Sequence, residues 1–201
     1  QGGVGTFRNA DLQKVLAGTT AIVRADIGPT EEGLAGGSSR RDLEKMFQLI
    51  YLRFTSPRAD PVAFGVLKDQ LKVALANHQS MPETVFDDAV SAALTQNNPR
   101  AQPPTPARMD QMNLDKSLAF YKARFADASN FTFVFVGSFT PEDIKPLVET
   151  YVGGLPASHA HERWRDPGVA APATVVEKTV EKGIAPRSAV AKRSSAGAIR
   201  W

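Results

Sequence analysis

The sequence predicts a mixed fold of the α+β class, and three features support this prediction. Residues 20–27 are rich in β-branched side chains, and residues 31–37 return after a Gly28-Pro29 turn, which is typical of a β-hairpin. Residues 39–57 have the apolar spacing of an amphipathic helix that ends at a proline. Residues 131–136, FTFVFV, have the composition of a buried strand, and a second capped helix follows directly.

Length and composition are those of one globular domain, with or without tails. The chain has 201 residues, and its hydrophobic content of 42% is enough for a core without staples. No apolar run approaches the ~20 residues of a membrane span, and no signal-peptide pattern opens the chain. The sequence contains no cysteine, which excludes disulfides, thiolate zinc sites and cysteine nucleophiles.

The positive charge is concentrated at the C-terminal end. The net charge of +3 and isoelectric point of about 9.3 by themselves suggest a nucleic-acid or membrane partner. Residues 187–201, however, hold four basic side chains and no acidic one, so the rest of the chain is close to neutral. We therefore expect no nucleic-acid partner, a folded domain over residues 1–188, and a disordered tail or truncated linker over residues 189–201.

Residues that favour helix starts precede each predicted helix. Ser39 is placed to cap the helix after it, with Asp42 as the carboxylate of a capping box. Asp60 precedes a proline at the first helical position. The other predicted starts are Asn9, Pro82, Thr105, Asn113 and Thr140.

Two further strands are predicted in the C-terminal part of the chain. The segment 131–136 is apolar on both faces apart from Thr132, so we expect a central strand covered on both sides. Residues 174–182, TVVEKTVEK, have the pattern of an exposed edge strand that its lysines protect from further pairing.

The side chains that could carry chemistry all have simpler interpretations. His78 lies near a predicted helix end, where a cation complements the helix dipole. His159 and His161 could share a metal on a strand, but no third ligand is evident, so we interpret them as loop residues. Arg40 and Arg41 could contact an acidic partner, and we interpret them as solvated. No catalytic, cofactor-binding or metal-binding residue is predicted in this chain.

The order of elements over residues 3–188 resembles the insulinase/pitrilysin (inverzincin) family of zinc metallopeptidases. The pieces that carry the resemblance are GVGTFRNADLQKVLAG near the start, the FTSPR turn after the first long helix, the strand FTFVFVGSF, and the helix end YVGGLP. In this combination they are similar to the bacterial two-half zinc proteases of that family.

The resemblance implies a particular fold and places the catalytic residues in one of two halves of the protein. Family members form α+β sandwiches like that of the mitochondrial processing peptidase, with a mainly antiparallel sheet and helices packed on it. Two halves close around a peptide, and the active half carries H-x-x-E-H with a distal glutamate as third zinc ligand. This sequence has no H-x-x-E-H, and residues 66–78, VLKDQLKVALANH, lack the distal glutamate. Whether the motif was lost or lies in a removed N-terminal segment stays open.

These departures from the family pattern lead to the functional expectation. The chain should be a non-catalytic domain that helps to form the chamber holding a peptide substrate, and its partner should be a catalytic peptidase domain of the same or another chain. The alternative is a structural or assembly module of the same fold with no role in proteolysis. We expect no cofactor in this domain, zinc in the catalytic half of a parent metalloendopeptidase, and a periplasmic location in preference to a cytoplasmic one.

Overall fold

The computed structural model describes residues 2–160, 162–183 and 190, and it combines helices with small antiparallel sheets. The strands are β1 (Gly3–Val4), β2 (Phe7–Arg8), β3 (Ile22–Ile27) and β4 (Glu32–Gly37). The helices are α1 (Asn9–Val15), α2 (Leu43–Thr55), α3 (Pro61–Ser80), α4 (Pro82–Leu94), α5 (Pro106–Asp110), α6 (Leu114–Arg124) and α7 (Pro141–Leu147). One turn of 3-10 helix (Arg40–Asp42) precedes α2, and a π-helical turn (Val148–Val152) extends α7. The predicted α+β class is confirmed.

The chain divides into two compact units, with the division inside α3. Unit 1 comprises the described residues of 1–67 and 112–164, and unit 2 comprises those of 68–111 and 165–201. The predicted boundary between residues 188 and 189 lies outside the described residues, as does nearly all of the predicted tail, so both stay predictions.

The core of unit 1 is built around one face of α2. Phe47 is fully buried, and its ring stacks on that of Phe135 with centroids 5.0 Å apart. About two helical turns later, Phe54 meets the rings of Phe125 and Phe131 edge-on, with centroids 5.3 and 5.0 Å apart. Val4 from β1 is also fully buried. The heptad-like spacing of large apolar residues on α2 therefore sets the position of the core, as the sequence indicates.

The hairpin β3–β4 follows the prediction closely. Ile22 pairs with Gly37 and Ile27 pairs with Glu32 in an antiparallel register. At Gly36 the two strands approach so closely that a β-carbon on this residue would lie 2.6 Å from the Ile22 carbonyl oxygen, so a glycine is required there. The register places Val23 in the core and leaves Ile22 on the outer face.

Most predicted helix starts are confirmed by the cap hydrogen bonds. Asp60 Oδ1 accepts from the backbone N–H groups of residues 62 and 63, at 3.1 and 3.0 Å. Thr105 and Asn113 accept from the third residue of their helices. Thr140 forms a full capping box with Asp143. Asn9 is an exception, because α1 begins at Asn9 itself and the preceding arginine occupies the cap position without a side-chain bond.

The capping box predicted at Ser39 is wrong, for a reason that involves a distant residue. The Asp42 carboxylate is buried, and its Oδ2 accepts from the Thr20 backbone N–H at 3.0 Å and from the Ser39 hydroxyl at 3.0 Å. The Ser39 N–H donates instead to the Thr20 hydroxyl at 2.6 Å. The Thr20 N–H bond is the main reason that the pKa of Asp42 falls to about 2, while burial acts in the opposite direction.

The segment 131–136 is extended but not a central strand covered on both sides. Its phenylalanines pack against the core, as alternation requires, while Val134 and Val136 are 76% and 91% exposed. No strand of the described chain pairs with it, so the predicted two-sided burial is wrong. An apolar run is buried on both faces only where a second layer covers it, and the described residues supply one layer. Residues 174–182 likewise form no strand.

Unit 2 has much less core than unit 1. Among its described residues Ala92 on α4 is the one buried hydrophobic side chain, and α3 has none in its whole length. Polar contacts hold the returning segment in place: Asn98 Nδ2 donates to the carbonyl of Gly168 at 2.8 Å, and Gln96 Nε2 donates to that of Ala170 at 3.1 Å. Unit 2 therefore gains little of the apolar burial that stabilises unit 1.

Candidate functional site

A cavity of about 300 Å³ lies in unit 1 between α1, β3 and α2. Its apolar wall comes from α1, α2 and the start of the hairpin, and polar side chains lie among these residues. The lining consists of Leu12, Gln13, Leu16, Thr19, Thr20, Ala21, Ile22, Val23, Leu49 and Arg53. The volume is at the lower end of the range for ligand pockets, so the cavity has room for a short group.

Arg53 is the charged residue of this lining. Its Nε is buried and has no hydrogen-bond partner, and no carboxylate in the described ranges forms an ion pair with its guanidinium. The backbone around it is fixed, because the Tyr121 hydroxyl donates to the Arg53 carbonyl oxygen at 3.0 Å. Burial raises the pKa of Tyr121 to about 12, and the nearby Arg53 charge acts weakly in the opposite direction. A buried guanidinium donor without an acceptor is costly, so this side chain favours an incoming anion.

Sequence reasoning missed Arg53, although one signal was available. Arg53 follows Leu49 by four residues, so it lies on the same side of α2 as a core leucine. A charge that interrupts an apolar helix face is an observation that periodicity analysis can detect. Its significance depends on α1 and β3, which the sequence does not place beside it.

The residues considered from the sequence each have their own local environment. The His78 Nδ1 lies 3.9 Å from an Asp88 carboxylate oxygen in unit 2, while His159 belongs to a loop of unit 1. His161 lies outside the described residues. Arg40 forms an ion pair of 2.9 Å with Asp143, which joins the start of the α2 region to the cap of α7. The acidic partner of Arg40 is therefore a residue of this same chain, Asp143.

A second charged cluster closes the other end of the hairpin in unit 1. The Arg124 guanidinium on α6 binds Glu162 at 2.7 Å and also binds the Glu32 carboxylate at the start of β4. The Glu32 side chain is 19% exposed and that of Glu162 is 55% exposed. Hydrogen bonds to Glu32, and then to Glu162, raise the pKa of Arg124 above its already high usual value, so the guanidinium stays charged. All three side chains satisfy one another, which indicates a structural role.

The described residues do not fit a zinc site. No group of three or more histidine, cysteine, aspartate or glutamate side chains in this part of the chain could hold a metal ion. A catalytic zinc needs three protein ligands with a fourth position open, so we derive no step through a metal here. The expectation that this chain has no catalytic or metal residue stays a prediction. Within residues 2–160, 162–183 and 190, no helix has the length and hydropathy of a bilayer span.

Comparison with known proteins gives a consistent result for sequence and fold. Residues 111–192 match the family model described as the peptidase M16 inactive domain. A zinc protease PQQL-like protein of Arabidopsis thaliana is 29% identical over 118 residues, which cover 57% of this chain and 12% of the relative.

Two solved structures share the fold. The periplasmic protease PqqL of Escherichia coli matches with a TM-score of 0.68 and 20% identity, over 85% of this chain and 19% of that one. The ferredoxin protease FusC, in complex with Arabidopsis ferredoxin, matches with a TM-score of 0.63 and 17% identity, over 79% and 17%. The chain thus spans less than a fifth of either protease. The resemblance found in the sequence is confirmed: this chain is similar in sequence to a zinc protease PQQL-like protein and, over residues 111–192, to the M16 peptidase domain described as inactive, and it shares the fold of PqqL.

Proposed function

We propose that this chain is a non-catalytic domain that helps a zinc metallopeptidase to enclose its peptide substrate. The observation that carries the proposal is the match of residues 111–192 to a peptidase domain described as inactive. The absence of a three-ligand metal group among the described residues supports the same view. In this proposal the zinc and the water that it activates belong to a catalytic half, in the same or a partner chain.

The contribution of such a domain is physical confinement. A peptide held between two walls loses translational and rotational freedom before it meets the catalytic group, and this positioning can lower a barrier by several kcal/mol. A wall of this kind needs apolar and polar surface for the peptide but no nucleophile. The location proposed for the protein is the periplasm, because the structural relative PqqL is a periplasmic protease.

The test compares a longer protein that carries this domain with a version from which the domain is deleted. We expect the zinc content per catalytic half to be unchanged and the turnover of a fluorogenic peptide to fall by tenfold or more. The isolated chain serves as a control, and we expect it to bind no stoichiometric zinc and cleave no peptide.

Each other result identifies a different role. Unchanged turnover after deletion would refute confinement and favour an assembly module of the same fold. Zinc held tightly by the isolated chain, with hydrolysis that a chelator abolishes, would show that the domain is itself catalytic.

Adding the isolated chain back to the deleted protein should restore part of the turnover, since confinement requires the surface and no covalent link.

A further inference from the structure

The cavity in unit 1 lies at the free edge of strand β3. Ile22 and Val23, the first two residues of β3, both line it, together with Ala21 just before the strand, although neighbouring side chains of a strand point to opposite faces. A space that touches successive residues must therefore border the strand edge. β3 pairs with β4 along its other edge, and no residue of β4 lines the cavity.

A free strand edge presents backbone donors and acceptors in a row. Within the described residues β3 has β4 as its one strand partner, so every second N–H and C=O of β3 points to the open side. Such an edge can receive an extended peptide, which gains main-chain hydrogen bonds while the neighbouring pocket takes its side chains. Here the pocket is formed by Leu12, Leu16 and Leu49.

The charge at the cavity determines which part of a peptide fits. Arg53 lines the cavity, its guanidinium forms no ion pair with a described residue, and its Nε is buried without a hydrogen-bond partner. An internal peptide segment offers carbonyl oxygens alone, whereas a peptide end offers a carboxylate that a guanidinium can bind through two parallel hydrogen bonds. The cavity volume of about 300 Å³ suits a terminal residue better than a longer segment.

We propose that this cavity binds the C-terminal end of an extended peptide, which pairs with β3 and places its free carboxylate on Arg53. The last side chain of the peptide is aliphatic and lies against the leucines of α1 and α2. The inference builds on the proposed function, since it names the part of a peptide that this wall would recognise. Product peptides and short substrates carry such an end, so the site would select for them over internal segments.

The experiment is a titration of the full chain followed by ¹⁵N–¹H correlation spectra. The probe is an acetylated pentapeptide of alternating threonine and valine that ends in leucine, prepared with a free C-terminal carboxylate and as the C-terminal amide. Charge-assisted hydrogen bonds predict that the free acid binds about tenfold to a hundredfold more tightly than the amide. We expect the largest shifts at the amides of residues 21–23.

Two arginine variants form a matched pair. Arg53→Gln should abolish the preference for the free acid. Arg58→Gln should leave it unchanged, because Arg58 also has a buried Nε without a partner but does not line the cavity. Gln13→Trp, at an exposed position of the lining, should block both peptides without touching the core. Circular dichroism checks that each variant is folded.

Four outcomes would overturn the inference. Equal binding of acid and amide would refute carboxylate recognition, while the deletion experiment would still decide separately whether the domain confines peptide. An equal loss of preference in Arg58→Gln would show that the effect is general charge. Binding of 4-methylpentanoate as tightly as the peptide would assign the cavity to small carboxylic acids and exclude strand pairing. Absence of any shift with all probes would refute the site.

Discussion

Replacing Phe125 by alanine should be among the most damaging single changes in this chain. The Phe125 side chain is 1% exposed, at the end of α6. Its ring stacks on Tyr121 at 4.5 Å and on Phe131 at 5.3 Å, and it meets Phe54 edge-on at 5.3 Å. The ring therefore joins three segments of unit 1, namely α2, α6 and the extended segment that begins at Phe131.

The magnitude follows from the loss of a fully enclosed ring. A buried phenylalanine replaced by alanine costs about 3–5 kcal/mol, from lost transfer free energy and the cavity left behind. Each of the three ring pairs adds about 0.5–1.5 kcal/mol beyond its buried area, so the upper part of that range applies. The free energy of unfolding of a whole domain is about 5–15 kcal/mol, so Phe125→Ala could leave too little folded protein to measure. The milder variant Phe125→Leu, with an expected loss of about 1–2 kcal/mol, stays within the measurable range.

The assay is urea unfolding of the full chain, followed by far-ultraviolet circular dichroism. The matched control is Phe120→Ala, because Phe120 is on the same helix but 56% exposed and should change the free energy of unfolding by less than about 0.5 kcal/mol. The reasoning would be refuted if Phe125→Ala cost less than about 1 kcal/mol, or if the two alanine variants had the same effect. An altered slope with urea concentration would instead indicate a changed unfolded or native state.

Three further predictions concern polar groups. The pKa of Asp42 in the folded chain is about 2, below the usual 3.8, so the stability that its carboxylate contributes is complete above pH 4 and is lost as the pH falls towards 2. The Asp42→Asn variant should therefore be less stable than the unchanged protein at pH 7, and this difference should shrink in acid. A difference in urea midpoints that stays constant with pH would contradict this. Double-mutant cycles should give a coupling energy of about 0.5–3 kcal/mol between Arg124 and Glu32, but about 0–1 kcal/mol between Arg124 and the more exposed Glu162. Equal coupling energies would show that burial does not determine the strength of these two ion pairs. Thr140→Ala should lower stability by about 1 kcal/mol through loss of the α7 cap, while Thr140→Ser should restore most of it.

The local features of this protein were determined by the sequence itself. The caps at Asp60, Thr105, Asn113 and Thr140 and the apolar stripe of α2 were predicted and found, because each depends on residues within one or two helical turns. The β3–β4 hairpin was predicted for the same reason, since its two strands and turn are contiguous. The family resemblance also rested on contiguous pieces of this kind.

The tertiary structure decided what depends on residues far apart in the chain. The Asp42 carboxylate bonds to Thr20, 22 positions away, in place of the predicted capping box. The valine face of residues 131–136 is exposed because no described layer covers it, and an apolar pattern cannot report whether a covering layer exists. Arg53 became a candidate binding residue only when α1 and the edge of β3 enclosed it. Periodicity specifies which side of an element is apolar, whereas packing alone specifies what that side meets.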